Sequence, residues 1–176
     1  MGAAYLSDVQ WALDFARANR EAIATRALEV IGAFVPVTQH ERLDIHHNFV
    51  ARERWFGRDV YVHRKGAVAV PAGTRALVPG SMGTASYIVE GLGNEDSFGS
   101  CSHGAGRVMS RKEARTAIRP DALRRVMRRV VYPEHLVRHL VEEAPATYRD
   151  ITEVLEDQED LVQRQLRLEP VAVLKG

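Results

Sequence analysis

Val60-Tyr61-Val62-His63-Arg64-Lys65-Gly66-Ala67-Val68-Ala69-Val70 is the stretch that decides the fold. Two short β-branched runs flank Arg64-Lys65-Gly66, which reads as a tight turn. Working outward, Gly57-Arg58 looks like a turn too, and Leu43 to Phe56 is extended before it. Downstream, Pro71-Ala72-Gly73 breaks the chain, Arg75 to Val78 resumes it, and Ser86 to Val89 makes a further strand. Short strands joined by tight turns argue for antiparallel pairing, because parallel strands need long crossovers.

Helical patterns lie on both sides. The spacing predicts a helix over residues 7–31, with Ser7 and Gln10 as a capping box and Gly32 as the left-handed residue just past its end. Val9, Leu13, Ala16, Ile23 and Ala27 mostly keep the helical period, so this helix is expected to face a core. Ser110 and Glu113 make a second capping box, and Pro120 opens another helix at a position suited to proline. Leu123, Val126, Met127 and Val130 give that helix its apolar face, with Arg124, Arg125, Arg128 and Arg129 opposite. Glu134 to Glu143 reads as one more helix, and Ile151, Val154 and Leu155 mark a last one. Val162, Leu166, Leu168, Val171 and Val173 suggest terminal strands. With no repeat and no linker, the pattern amounts to one compact α+β unit, antiparallel sheets flanked by helices.

Composition narrows the function classes. At 176 residues the length suits one domain, and the 24 Lys and Arg nearly cancel the 23 Asp and Glu. Binding to a polyanion by global charge is therefore excluded, and any nucleic-acid contact must use a local patch. The single cysteine, Cys101, rules out an internal disulfide and fits a reducing, cytoplasmic setting. No apolar run is long enough to span a bilayer, and Asp8, Asp14 and Arg17 break any signal-peptide pattern.

Three stretches carry chemistry. Ser97 to Arg107 is rich in glycine and serine, and it ends in His103-Gly104-Ala105-Gly106-Arg107 with Arg111 following. A neutral imidazole can attack phosphorus, small neighbours leave room for a nucleotide, and arginine forks suit phosphate oxygens. A plain glycine loop before a helix is the equally weighted alternative. Cys101 is too close in sequence to pair with His103 in an extended loop, so a small buried thiol is expected there. His46-His47-Asn48 lies in a strand pattern, where the two imidazoles point to opposite faces and do not share one metal. A hydrogen-bonded strand histidine is the commoner reading. Pro79-Gly80-Ser81-Met82-Gly83 is a turn by default, or a set of backbone N–H groups open to a ligand. The arginines at 124–129 read as a solvated face, with an RNA-backbone role as the minor option.

With these residues quoted, the sequence resembles the C-terminal part of RtcB-type RNA-splicing ligases across residues 1–176. The resemblance rests on His46-His47-Asn48, Val62 to Ala67, Pro79 to Gly83, Gly91-Leu92-Gly93-Asn94, Ser100 to Arg111 and the ending Val173-Leu174-Lys175-Gly176. It implies joining of RNA 3′-phosphate or 2′,3′-cyclic phosphate ends to 5′-hydroxyl ends, using GTP and Mn²⁺, in tRNA splicing or RNA repair. It implies that His103 is the guanylylated nucleophile and His47 a metal ligand. It assigns guanylate contacts to Asn48, Pro79, Gly80, Ser81, Met82, Ser86, Gly104, Ala105, Gly106 and Lys175, and base stacking to Tyr148. It gives Arg107 and Arg111 to phosphate.

The family's full-length members carry an N-terminal half that supplies the Asp, the Cys and two further His of a dinuclear metal site. No stretch here matches that half. The implied partners are RNA ends, a separate N-terminal half and an archease-type activator, with no membrane. On this reading the isolated chain is expected to be inactive. The alternatives are a non-catalytic nucleotide- or RNA-binding remnant and a docking subunit of a split ligase.

Overall fold

The computed structural model describes residues 2–174. Helices and small antiparallel sheets make an α+β arrangement, and contacts divide the chain into two compact units, Met1–Lys65 and Gly66–Gly176.

The first unit contains helix α1 (Gly2–Gly32) and a hairpin of β1 (Asn48–Trp55) and β2 (Arg58–Lys65). The hairpin register runs from Asn48 opposite Lys65 to Trp55 opposite Arg58. Phe56 and Gly57 make its two-residue turn, both at positive φ (51° and 74°), the backbone that a right-twisted hairpin requires. The turn is thus one residue earlier than Gly57-Arg58.

Helix α1 departs from expectation in three ways. It starts at Gly2, so Ser7 lies inside it and caps nothing. Gly32 is its last residue and is not left-handed; Phe34 and Val35 close the end by donating to the Ile31 carbonyl. Finally, no residue of α1 is buried, and Trp11 and Phe15, stacked at 5.8 Å, are 70% and 65% exposed. Ion pairs tie the following chain to it: Asp44 with Arg17 (3.2 Å) and Arg20 (2.5 Å), and Arg42 with Glu21 (3.0 Å).

The second unit holds the apolar core. Strands β4 (Arg75–Val78), β5 (Ser86–Gly91) and β7 (Val162–Leu168) form an antiparallel sheet with β5 central and a register shift at Ile88/Val89. Strands β3 (Ala67–Ala69) and β6 (Ser100–Ser102) form a separate pair. Of Arg64-Lys65-Gly66, only Gly66 turns, at φ 73°. Helix α2 (Arg111–Ala117) has the Ser110/Glu113 capping box, and α3 (Pro120–Val126) has proline at its first position. Leu123 and Met127 enter a cluster with Met82, Val137, Leu140, Val141 and Ala144. Val126 does not join them and is 57% exposed.

Residues 134–143 are not one α-helix. Glu134–Leu136 and Val141–Glu143 are 3₁₀ turns around α4 (Val137–Leu140), a tightening common at helix ends. Helix α5 (Ile151–Glu156) is capped by Asp150, whose side chain accepts from the Thr152 N–H. Val171 and Val173 form no strand; their backbones bracket Val131 in one isolated bridge at Ala172. Among the described residues, no helix is long and apolar enough to cross a membrane.

Candidate functional site

The second unit builds its site at the end of the β3–β6 pair. Ala67 sits opposite Ser102, and the His103 N–H extends the ladder by donating to the Gly66 carbonyl at 3.3 Å. The same carbonyl lies 2.8 Å from His103 Nδ1. A carbonyl only accepts, so Nδ1 carries the proton and Nε2 the lone pair of the neutral ring. Gly66 reaches this position through its left-handed backbone, and a Cβ there would touch the imidazole at 3.5 Å. One residue before His103, Gln158 clamps the strand end. Its Oε1 accepts from the Ser102 N–H (2.7 Å), and its Nε2 donates to Ser102 Oγ (2.9 Å) and the Val154 carbonyl (2.6 Å).

Two of the sequence stretches meet here. The Ala105 N–H donates to the Pro79 carbonyl at 2.9 Å, and a Cβ on Gly104 would stand 2.9 Å from that oxygen. Glycine at 104 is therefore required by close backbone approach. Beyond Pro79, the Thr84 hydroxyl closes the turn. It accepts from the Ser81 N–H (2.8 Å) and shares a hydrogen bond with Ser81 Oγ (2.9 Å). A Cβ on Gly80 would meet the Ala85 carbonyl oxygen at 2.2 Å, and the Met82 side chain is buried in the core. Ser86 begins β5, half-buried.

Gly106, at φ 73°, turns the chain toward a second cluster. Arg107 forms an isolated antiparallel bridge with Tyr148, and its guanidinium lies 5.1 Å from that ring. Its donors are engaged: Nε with the Met109 carbonyl (3.0 Å), Nη2 with the Glu142 carbonyl (2.7 Å), and Nη1 with Glu143 (3.3 Å) and the Tyr148 hydroxyl (3.2 Å). Arg107 is thus a brace of the fold as well as a phosphate candidate. Arg111 pairs with Glu143 at 3.1 Å and is 64% exposed. The Tyr148 hydroxyl also bonds Glu143, and burial, then Glu143, push the phenol above the usual tyrosine range. Glu143 therefore gathers Arg107, Arg111 and Tyr148.

Cys101 is buried on β6, and burial pushes its thiol up to about 12. It is a packing residue, as its position beside His103 suggested.

His47 and Asn48 lie in the first unit. Asn48 opens β1, and His46 and His47 precede the strand, so strand alternation does not orient the imidazoles. Leu13, Ala16, Arg20, His46, His47 and Asn48 are among the residues lining a cleft of about 260 Å³. Burial, then the Arg20 charge, hold the His46 imidazole below the usual histidine range. Asp44 is held low by the Arg20 hydrogen bond. Among the described residues, no three His, Cys, Asp or Glu converge as a metal-holding group. A lone imidazole leaves a divalent ion largely hydrated, so the described donor set does not fit a complete Mn²⁺ centre. Lys175 lies outside the described residues.

The site roles of Gly66, Thr84, Glu143 and Gln158 were not read from the sequence. Only the Gly66 turn left a local signal, since the other three act through partners brought together by the fold.

Comparison with known proteins is consistent with this geometry. The family described as tRNA-splicing ligase RtcB matches residues 1–176. The chain is 40% identical over 179 residues to the RNA-splicing ligase RtcB of Escherichia coli K12, covering 98% of this chain and 43% of the relative. It is 35% identical over 197 residues to the RNA-splicing ligase RtcB of Mycobacterium tuberculosis, covering 99% and 45%. Against the tRNA-splicing ligase RtcB of Pyrococcus horikoshii it is 34% identical over 207 residues, covering 99% and 23%. The chain thus spans less than half the length of these relatives, while the family match runs through all of it: this protein belongs to the tRNA-splicing ligase RtcB family.

Proposed function

We propose that the chain is the nucleotide-transfer part of an RNA ligase that joins 3′-phosphate or 2′,3′-cyclic phosphate ends to 5′-hydroxyl ends. The observation that carries this reading is the His103 Nδ1 bond to the Gly66 carbonyl, which leaves the lone pair on Nε2. In the first transfer, Nε2 attacks the α-phosphorus of GTP, a phosphoramidate forms and pyrophosphate leaves. Attack spreads positive charge over the ring, and the Gly66 carbonyl stabilises the Nδ1 proton as it does so. A 2′,3′-cyclic end is first opened by water, which breaks the bond from phosphorus to the 2′-oxygen; the RNA 3′-phosphate then takes the guanylate from His103, and the 5′-hydroxyl displaces GMP as the phosphodiester forms. A 3′-phosphate lacks a good leaving group until guanylate is attached, which gives each step a reason.

Gly104, Ala105 and Gly106, with Pro79 to Met82, Ser86, Asn48, Tyr148 and Lys175, are assigned to the guanylate. Arg111 is the more exposed of the two phosphate candidates, since Arg107 is already tied to Glu143 and Tyr148. The metal expected for this chemistry, Mn²⁺, needs donors beyond His47, so full activity depends on residues outside this donor set.

The test is α-labelled GTP with Mn²⁺, with and without the N-terminal half of the Escherichia coli relative supplied in trans. Label is expected on His103 when that half is present, and absent from His103→Ala. Label on another residue, or undiminished in His103→Ala, would sink the assignment. No label in either mixture would favour a nucleotide- or RNA-binding remnant.

A further inference from the structure

Arginines in this chain are mostly neutralised by carboxylates. Arg17, Arg20, Arg42, Arg52, Arg64 and Arg167 all sit in ion pairs, and so do Arg107, Arg111 and Arg115 against Glu142 and Glu143. Arg58, Arg138, Arg149 and Arg164 lack a carboxylate partner among the described residues but occur singly along the chain, whereas the segment Arg119–Arg129 concentrates such arginines. It holds five arginines and one aspartate in a chain whose charges otherwise almost cancel. Arg124 is paired with Asp121 (2.7 Å) and Glu134 (2.6 Å). Arg119, Arg125, Arg128 and Arg129 are exposed, and none has a carboxylate partner among the described residues. The segment is anchored, because Leu123 in α3 and Met127 just past its end are buried in the core cluster; Arg119 precedes the helix, and Arg128 and Arg129 follow Met127. Four unpaired guanidinium groups are therefore displayed from a fixed support, and folding alone gives no reason to cluster them.

We propose that Arg119, Arg125, Arg128 and Arg129 form a docking surface for the phosphate backbone of RNA, outside the His103 motif and blind to base sequence. Guanidinium groups are permanently charged forks matched to phosphate oxygens. The segment offers no aromatic side chain on which a base could stack, so its contacts go to phosphate and carry no sequence information. The choice of RNA over other polyanions rests on the ligase reading; the charge display does not.

The experiment measures binding of a fluorescent single-stranded RNA with a 3′-hydroxyl and a 5′-phosphate, by anisotropy against KCl concentration. Those ends are not the ones the proposed ligation uses, so binding is read apart from chemistry. The triple variant R125Q/R128Q/R129Q should flatten the slope of log affinity against log salt by about 0.7 per arginine, roughly 2 in all. R125K/R128K/R129K should keep most of the slope, which separates charge from folding damage. R26Q/R52Q/R167Q removes as much charge from positions paired with Glu29, Asp59 and Glu169 and should change the slope much less. His103→Ala should leave it unaltered.

An unchanged slope in the glutamine triple variant would overturn the surface, as would an equal loss in the paired-arginine control. Displacement of RNA by polyglutamate at equal charge concentration would reassign the surface to an acidic protein and overturn the RNA proposal. Failure of His103 to label, with the salt slope behaving as expected, would sink the ligase reading and leave the docking surface standing.

Discussion

The two units of this chain are held together by different forces. In the second, Val68, Val78, Val89, Leu123, Met127 and Leu155 are all at most 2% exposed, and the site is fixed to that interior by backbone hydrogen bonds. In the first, Arg64 alone is buried among the described residues, and besides the β1–β2 backbone ladder the ties are ion pairs at Asp44, Arg42, Asp59 and Glu53. Apolar burial is insensitive to pH and modest salt, whereas ion pairs respond to both. The difference teaches that His103 and His47 stand in unlike settings. The first is oriented by a backbone carbonyl beside an apolar core; the second lines a cleft whose walls depend on charge.

The largest expected effect breaks the first unit at its one buried charge. The Arg64 side chain is 2% exposed, bonded twice to Glu53 and stacked 5.2 Å over Phe49. Glu53→Ala removes the carboxylate that is bonded twice to that guanidinium. Losing one partner of a buried pair costs about 3–5 kcal/mol, and Glu53 is partly solvated, so about 3 kcal/mol is expected. Hydrogen exchange resolved by segment reads it: β1 and β2 amides should lose protection while β4 and β5 amides keep theirs. Equal loss in both would mean that the units do not differ as described.

Acid should produce a smaller, graded version. The Arg20 hydrogen bond holds Asp44, and the Arg64 hydrogen bond holds Glu53, below the usual carboxylate range. A carboxyl depressed in the fold contributes fully above its unfolded pKa, and that contribution is lost as pH falls through the folded value. The second unit's depressed carboxyls, Glu113 and Glu134, are surface groups beside an apolar core, whose buried Cys101 thiol responds to alkali rather than acid. Amide signals of α1, β1 and β2 should therefore broaden or shift before those of β4 and β5 as pH is lowered below the ordinary carboxylate range. Simultaneous loss would contradict the contrast.

What could be read from sequence follows the same division between local and distant causes. The hairpin, the Ser110/Glu113 box, the proline start of α3 and the strand at Val162–Leu168 each have a local signature, and all are present. Strand β6 was hidden because Ser100-Cys101-Ser102 has little intrinsic strand preference and is extended only by pairing with Ala67–Ala69. Ser7 misled because a serine followed three residues on by glutamine looks the same inside a helix as at its start. The His103 motif was visible, but its tautomer depends on a carbonyl 37 residues away. The bracing role of Arg107 left no local sign because Glu143 lies 36 residues downstream. Spacing along the chain reports neither.

The smallest expected effect sharpens the contrast from inside the second unit. Cys101 Sγ lies on β6 facing the Ser102 carbonyl at 3.4 Å, and burial pushes the thiol up to about 12. At neutral pH the thiolate fraction is then about 1 in 10⁵, so iodoacetamide should leave the native chain unlabelled while modifying it rapidly in denaturant. A raised thiol pKa stabilises the fold below the unfolded value and loses that contribution as pH rises toward the folded one. Cys101→Ala should remove this alkaline sensitivity at a cost of about 1 kcal/mol, the size of a small buried group. It should also leave His103 labelling intact, since the thiol takes no part in the transfer. The informative condition is mild acid, where β1 and β2 have lost protection. A sample brought back to neutral pH during a short alkylation pulse should still show Cys101 unreactive if the second unit keeps its core without help from the first. Rapid alkylation there would show that the interior around His103 opens along with the charge-held unit, and the two regions would have to be treated as one cooperative structure.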